Sequence, residues 1–280
     1  MSRISKLNIS LVFVICLLCA FICCGASADE ADTPVSYTET PIYIDGMLSC
    51  RGYVINDTTY LPLESSCAVL GYDFTADYDT ETKTLTVKVE DIEITVCEDD
   101  KYLSANDRYF YLPDGYIEID GSAVVPIETV AKLFTLDLKL DKQLNAYNLD
   151  TANMALLVNG EDFYDAEDLY WMSRIITYEA GNQCIEGQIG VGNVVMNRVE
   201  SKGFRSTVKG VIFQSGQFAP VASGAIYMDP FEFSTICAKM VFEGANTVGD
   251  SLYFQIGRGN DLISRTKTFV IKIDDHNFFM

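Results

Sequence analysis

The chain has 280 residues, 49% of them hydrophobic, and a formal charge of −20. That length supports one or two packed domains, and the acidity argues against nucleic acid or anionic lipid as partners, since it would repel their phosphates. A single histidine, His276, is too few for zinc or copper sites built on two or three imidazoles, so no metal and no cofactor are expected.

Residues 1–28 read as a cleaved secretory signal. Arg3 and Lys6 form a basic start, LVFVICLLCAFICC an apolar core short for a membrane span, and Ala26-Ser27-Ala28 a small-x-small cleavage site. An uncleaved anchor is the alternative. The mature protein is therefore expected to be secreted or held in the cell envelope, and loss of Arg3 and Lys6 takes its charge from −20 to −22. Four of the nine cysteines leave with the signal. The others (Cys50, Cys67, Cys97, Cys184 and Cys237) are odd in number and lack CxxC spacing, which favours small core residues over a disulfide framework.

Residues 40–150 alternate apolar and polar positions in short runs that end in turn residues, as in TPIYIDG, LTVKVEDIEITVC and RYFYLPDG. An internal repeat lies within them. Tyr60-Leu61-Pro62-Leu63-Glu64 and Val124-Val125-Pro126-Ile127-Glu128 each introduce a short amphipathic helix and then another strand. Proline pre-sets the turn into the helix, and glutamate in its first turn suits the dipole. Two such units predict a small α+β domain over 35–150. Its Pro-Glu elements and the turns Ile42-Tyr43-Ile44-Asp45-Gly46 and Ile117-Glu118-Ile119-Asp120-Gly121 resemble the copper amine oxidase N-terminal-like domain. The segment holds no histidine, so it is read as an envelope-associating accessory module or a spacer, not a copper site. Residues 151–165 form the linker, with room only for a short hinge.

From Asp168 the period becomes helical. Leu169, Met172, Ile175/Ile176 and Glu179/Ala180 share one face, Asp165 or Asp168 can cap the start, and Gly181 marks the end. Glu179 thus falls on the apolar stripe in the last turn. Burial and the negative end of the helix both raise its pKa and favour the protonated acid near neutral pH, as a glycosidase general acid requires. A structural glutamate paired to Arg174 or Arg198 is the alternative. A second helix is predicted over 184–199, where Gly187, Gly190 and Gly192 need close packing to justify them. Asn193, Asn197 and Arg198 are read as a polar edge, most simply solvated.

The blocks WMSRIITYEAGNQCIEGQIGVGNVVMNRVESKGF, VIFQSGQFAPVASGAIY, GDSLYFQ and DDHNFF resemble the SleB-type cell wall hydrolases. The resemblance implies a lysozyme-like, mainly helical domain over 166–280, an α+β chain overall, and Glu179 as the catalytic acid. It implies peptidoglycan glycan strands as the partner. The departures are Tyr178, where the family usually has alanine, and Phe204-Arg205-Ser206-Thr207 in place of Phe-Pro-Asn-Thr.

Gln217, Phe218, Tyr253 and His276 are the substrate-binding candidates, through stacking on sugar faces and amide contacts to N-acetyl groups, with core packing as the alternative for each. Of the possible second carboxylates, Glu186, Asp229, Glu232 and Asp250, none lies in a block the resemblance marks as catalytic. A one-carboxylate lytic transglycosylation is therefore favoured, with hydrolysis open. Two other readings remain: a cysteine peptidase using Cys184 or Cys237 with His276, and a wall-binding protein that has lost activity.

Overall fold

The computed structural model describes residues 35–142, 144, 146–257 and 262–280; the expected signal at 1–28 lies outside them. In the first domain, strands β1 (Thr38–Ile44), β2 (Met47–Ile55) and β3 (Thr58–Pro62) lead into helix α1 (Leu63–Val69). A five-stranded meander follows: β4 (Phe74–Asp79), β5 (Thr84–Val89), β6 (Ile92–Cys97), β7 (Tyr102–Ala105) and β8 (Arg108–Tyr111). The chain then returns through β9 (Ile117–Ile119), β10 (Ser122–Pro126), α2 (Ile127–Leu133), β11 (Asp137–Asp141) and β12 (Ala146–Asp150) to complete a seven-stranded sheet ordered β11-β12-β1-β2-β3-β10-β9.

The repeat seen in sequence is a structural one. The two strand-Pro-helix units lie side by side, with β3 and β10 antiparallel and Leu61 opposite Val125. Pro62 and Pro126 each end a strand and immediately precede a helix that carries glutamate in its first turn. The Asp-Gly pairs 45–46 and 120–121 both take positive φ, the conformation a tight hairpin needs and one that Asp and Gly tolerate. A core of Ile42, Leu61, Leu63, Ile94, Leu103, Ile127 and Phe134 fills the space between the layers.

The second domain is mainly helical, in agreement with the α+β expectation. It begins with α3 (Gly160–Phe163) and α4 (Ala166–Ala180), continues with α5 (Ile185–Glu200), α6 (Val208–Ile212) and α7 (Ala219–Ser223), and after a short 3₁₀ turn (Ala225–Tyr227) reaches α8 (Glu232–Phe242). A three-stranded sheet, ordered β13 (Tyr253–Ile256), β15 (His276–Phe279) and β14 (Phe269–Ile273), closes it, with α9 (Leu262–Thr266) between β13 and β14. The Asp165 side chain accepts the Glu167 and Asp168 N–H groups and so caps α4. Helices α4, α5 and α8 pack around Met172, Ile176, Ile189, Val195, Cys237 and Ala238. The costly α5 glycines allow this approach: a Cβ at Gly190 would lie 2.8 Å from Phe278, and one at Gly192 2.7 Å from Val241.

Residues 37–280 form one compact unit. The segment expected to hold a hinge is stitched down: Ala155 N–H donates to Phe134 O and Leu157 N–H to Leu133 O, while Asn106 Nδ2 donates to Leu157 O. Across the seam, Arg108 makes a buried two-point ion pair with Glu243 at 2.7 and 2.8 Å, and the Tyr164 hydroxyl donates to the same carboxylate. Lys239 reaches Asp107 at 2.5 Å, and Lys101 reaches Glu186 at 2.6 Å. No described helix is long and apolar enough to cross a membrane.

Candidate active site

Glu179 sits in the last turn of α4, half-buried, where the apolar stripe of Met172, Ile175 and Ile176 placed it. Burial pushes its carboxyl up to about 7. Two influences pull the other way: the Ala219 backbone N–H at the start of α7, which acts on the carboxylate, and the positive charge of Arg198. Near neutral pH the group is therefore divided between acid and carboxylate, the condition for giving a proton and taking one back.

Arg198 is the site residue that sequence reasoning missed. It is 4% exposed rather than solvated, its Nε donates to Leu252 O at 2.7 Å, and its guanidinium lies 4.9 Å from the Phe204 ring, 5.1 Å from Phe218 and 5.7 Å from Tyr253. Its buried Nη1 has no hydrogen-bond partner, and burial lowers its pKa to about 10. Glu179 and Arg198 make no ion pair, so the pairing considered from sequence is replaced by a longer-range attraction; Arg174 pairs instead with Asp229 at 3.3 Å. A signal for Arg198 did exist. It continues the Val191-Val194/Val195 stripe of α5 just as Glu179 continues that of α4.

Phe218 and Tyr253 are thus brought together with Glu179 through Arg198. Phe218 is buried and Tyr253 half-buried, with Lys267 Nζ 4.3 Å from the tyrosine ring centroid. Gln217 precedes Phe218 in the chain and is half-buried. His276 is placed differently. It has no exposed surface, neither ring nitrogen has a partner, and its ring packs edge-on against Phe254 at 5.2 Å, so any influence on a bound sugar passes through Phe254. In the Phe204–Thr207 segment the contacts are made by the two residues that keep the family pattern: Phe204 joins the Arg198 cage, and the Thr207 hydroxyl caps α6 by accepting the Gly210 N–H.

The other acids are occupied elsewhere or exposed. Glu186 holds Lys101 and Tyr111, Asp229 faces solvent beside Arg174, and Glu232 and Asp250 are exposed. Among the described residues none bears on the Glu179 proton. Neither cysteine suits a nucleophile: burial pushes the Cys184 thiol up to about 11 and that of wholly buried Cys237 up to about 12.

Residues 182–279 match the cell wall hydrolase family model. This segment is a cell wall hydrolase domain. The match begins just beyond Glu179. Residues 47–149 match the copper amine oxidase N-terminal domain. Curated relatives of the hydrolase segment include the spore cortex-lytic enzymes of Bacillus cereus, 34% identical over 91 residues (32% of this chain, 35% of the relative), and of Oceanobacillus iheyensis, 33% identical over 97 residues (35% of each). The hydrolase-bearing chain thus spans about a third of the length of the curated relatives it matches. Among solved structures, the catalytic domain of the germination-specific lytic transglycosylase SleB from Bacillus anthracis is 30% identical, with a TM-score of 0.40, covering 42% of this chain and 97% of that one.

Proposed function

We propose that this protein cleaves the glycan strands of peptidoglycan, with Glu179 as its single acid-base residue. The observation that carries the reading is a half-buried carboxyl held near half-protonation at pH 7, with the Ala219 backbone N–H and the Arg198 charge acting on it and no second acid doing so among the described residues. The relatives named as spore cortex-lytic enzymes and lytic transglycosylase support the substrate class.

In this reading, Glu179 gives its proton to the oxygen joining N-acetylmuramic acid to N-acetylglucosamine, and the muramoyl C1–O bond breaks. The Glu179 carboxylate, steadied by the Ala219 N–H and the Arg198 charge, then removes the proton from the muramoyl C6 hydroxyl while that oxygen bonds to C1. The products are a free N-acetylglucosamine hydroxyl and a 1,6-anhydro end; no water is consumed and Glu179 recovers its proton. Gln217 and Tyr253 hold the sugars, buried Phe218 supports Arg198 from behind, and His276 backs Phe254. The protein works outside the cytoplasmic membrane, where the first domain is an envelope-associating module.

Mass spectrometry of fragments released from purified peptidoglycan tests the reaction. Anhydro ends, lighter by one water than reducing ends, are expected from the wild type and absent with Glu179→Gln. Reducing ends alone would replace transglycosylation with hydrolysis, and unchanged release by Glu179→Gln would remove Glu179 from its role.

A further inference from the structure

A partly exposed aromatic ridge beside the candidate acid, with Tyr170 exposed, Tyr178 half-buried and Arg174 buried between them, has no role in the chemistry above. Tyr170, Arg174 and Tyr178 recur every four residues and so share one side of α4. The segment from Tyr227 to Phe231 lies across them and is fastened at several points. The Tyr178 hydroxyl donates to Asp229 O at 2.9 Å, and the Phe231 N–H donates to Thr177 Oγ1 at 3.0 Å. Arg174 pairs with the Asp229 carboxylate while its guanidinium stacks 3.6 Å from the Tyr170 ring centroid. The Phe231 ring lies against the backbone of Gly181, so closely that a Cβ there would come within 2.9 Å of it.

A segment held this firmly still turns its apolar side chains outward: Tyr227 is 63% exposed, Met228 62% and Phe231 57%. Contiguous exposed apolar surface of this kind marks a binding surface. Its single charge, Asp229, is matched by Arg174, so it is locally neutral in a chain of net charge −20. Locally neutral and tied down by hydrogen bonds, it suits the apolar faces of sugar rings, and its ordering is already achieved by the fold and not required of binding. It also continues the candidate site. Tyr178 adjoins Glu179, and the segment follows α7, whose first N–H acts on the Glu179 carboxyl. From Tyr170 to Glu179 the helix rises about 13 Å, more than one sugar ring needs.

We propose that Tyr170, Tyr178, Tyr227, Met228 and Phe231 form a rigid platform that carries the uncleaved glycan strand beyond the sugars bonded at Glu179. This rests on the glycan-cleaving reading and deepens it. Tyr178, the departure from the family pattern, then has a use: its hydroxyl ties the platform down beside the catalytic position.

The test compares rates on long, peptide-free glycan strands with rates on a tetrasaccharide of alternating N-acetylglucosamine and N-acetylmuramic acid. The double variant Tyr227→Ala/Met228→Ala should lower the polymer-to-tetrasaccharide rate ratio by about fivefold or more, the loss expected from removing exposed stacking surface. Leu48→Ala, equally exposed but in the first domain, should keep it. A ratio within about twofold of wild type in the double variant overturns the platform, whether the surface then serves a protein partner or only packing. Co-sedimentation of Glu179→Gln with insoluble peptidoglycan, with and without the double substitution, decides the same question without turnover: weaker binding by a similar factor is expected, and equal binding overturns it. If the wild type releases no fragments, the Glu179 reading fails while the sedimentation result still judges the platform.

Discussion

The seam between the two domains and the surroundings of Glu179 each hold a buried arginine near a glutamate, and they use them in opposite ways. At the seam, Arg108 and Glu243 meet in a two-point pair, and the Tyr164 hydroxyl adds a third hydrogen bond to the carboxylate. Every charge there is answered, so the pair acts as a fastener. In the second domain, Glu179 and Arg198 feel each other without touching, and Arg198 keeps a buried Nη1 with no partner. Incomplete pairing leaves Glu179 with a proton it can lose. Satisfied charges fix geometry, whereas the unsatisfied pair sets a pKa.

The strongest way to break this contrast is at Glu179. Glu179→Gln should lower glycan release by about 10²–10⁴-fold, the usual worth of a general acid, measured on purified peptidoglycan. It should not cost stability. The folded-state value near 7 lies above the ordinary 4.5, so the stabilisation is complete below about pH 4.5 and is lost as pH rises through about 7. The Gln variant carries no such loss, so its melting temperature should exceed that of wild type at pH 8 and approach it at pH 4.5. A variant that melts lower at pH 8 would mean that Glu179 is a fastener like Glu243.

At the seam the opposite result is expected. Glu243→Ala leaves Arg108 and Tyr164 buried without a partner and should cost about 3–5 kcal/mol by urea unfolding. Any loss of activity should follow the loss of folded protein. If Glu243→Ala unfolds the first domain while the second stays folded, the seam is not the shared fastener described here.

A smaller effect sharpens the role of Arg198. In wild type, kcat/KM should fall tenfold per pH unit above about pH 7 as Glu179 loses its proton. Arg198 holds that value down, so Arg198→Met should move this limb to higher pH, and Arg198→Lys should restore it. Simple misfolding would lower the whole profile without moving the limb. Smallest of all, Cys184→Ser/Cys237→Ser should leave glycan release within about twofold, because both thiols stay protonated near neutral pH. Abolished cleavage in that variant, with its fold intact, would revive a peptidase.

Much of this was legible from the chain. The two Pro-Glu repeats announced strand-helix units, and the Asp-Gly pairs announced hairpins, because both depend on local backbone chemistry. The Asp165 cap and the helix to Ala180 followed from spacing, as did the placement of Glu179. The polar edge drawn through Arg198 failed because one residue was weighed against solvent instead of against the stripe it continues. His276 could not be placed from sequence at all, since its burial depends on Phe254 and Phe278 arriving from its own sheet. The expected hinge is a further difference: nothing in NLDTANMALLVNG shows that Asn106, far back in the chain, will hold it.

By itself, the sequence determined the order of elements, the change from a two-residue to a helical period, and the presence of a carboxylate on an apolar stripe. These are properties of neighbours a few residues apart, where backbone geometry leaves few choices. The tertiary structure decided which charges meet. Arg108 finds Glu243 across 135 residues, while Arg198 is enclosed by Phe204, Phe218 and Tyr253 and meets no acid. The proton affinity of Glu179 depends on that difference, because desolvation and charge act through space, and distance along the chain does not fix distance in the fold.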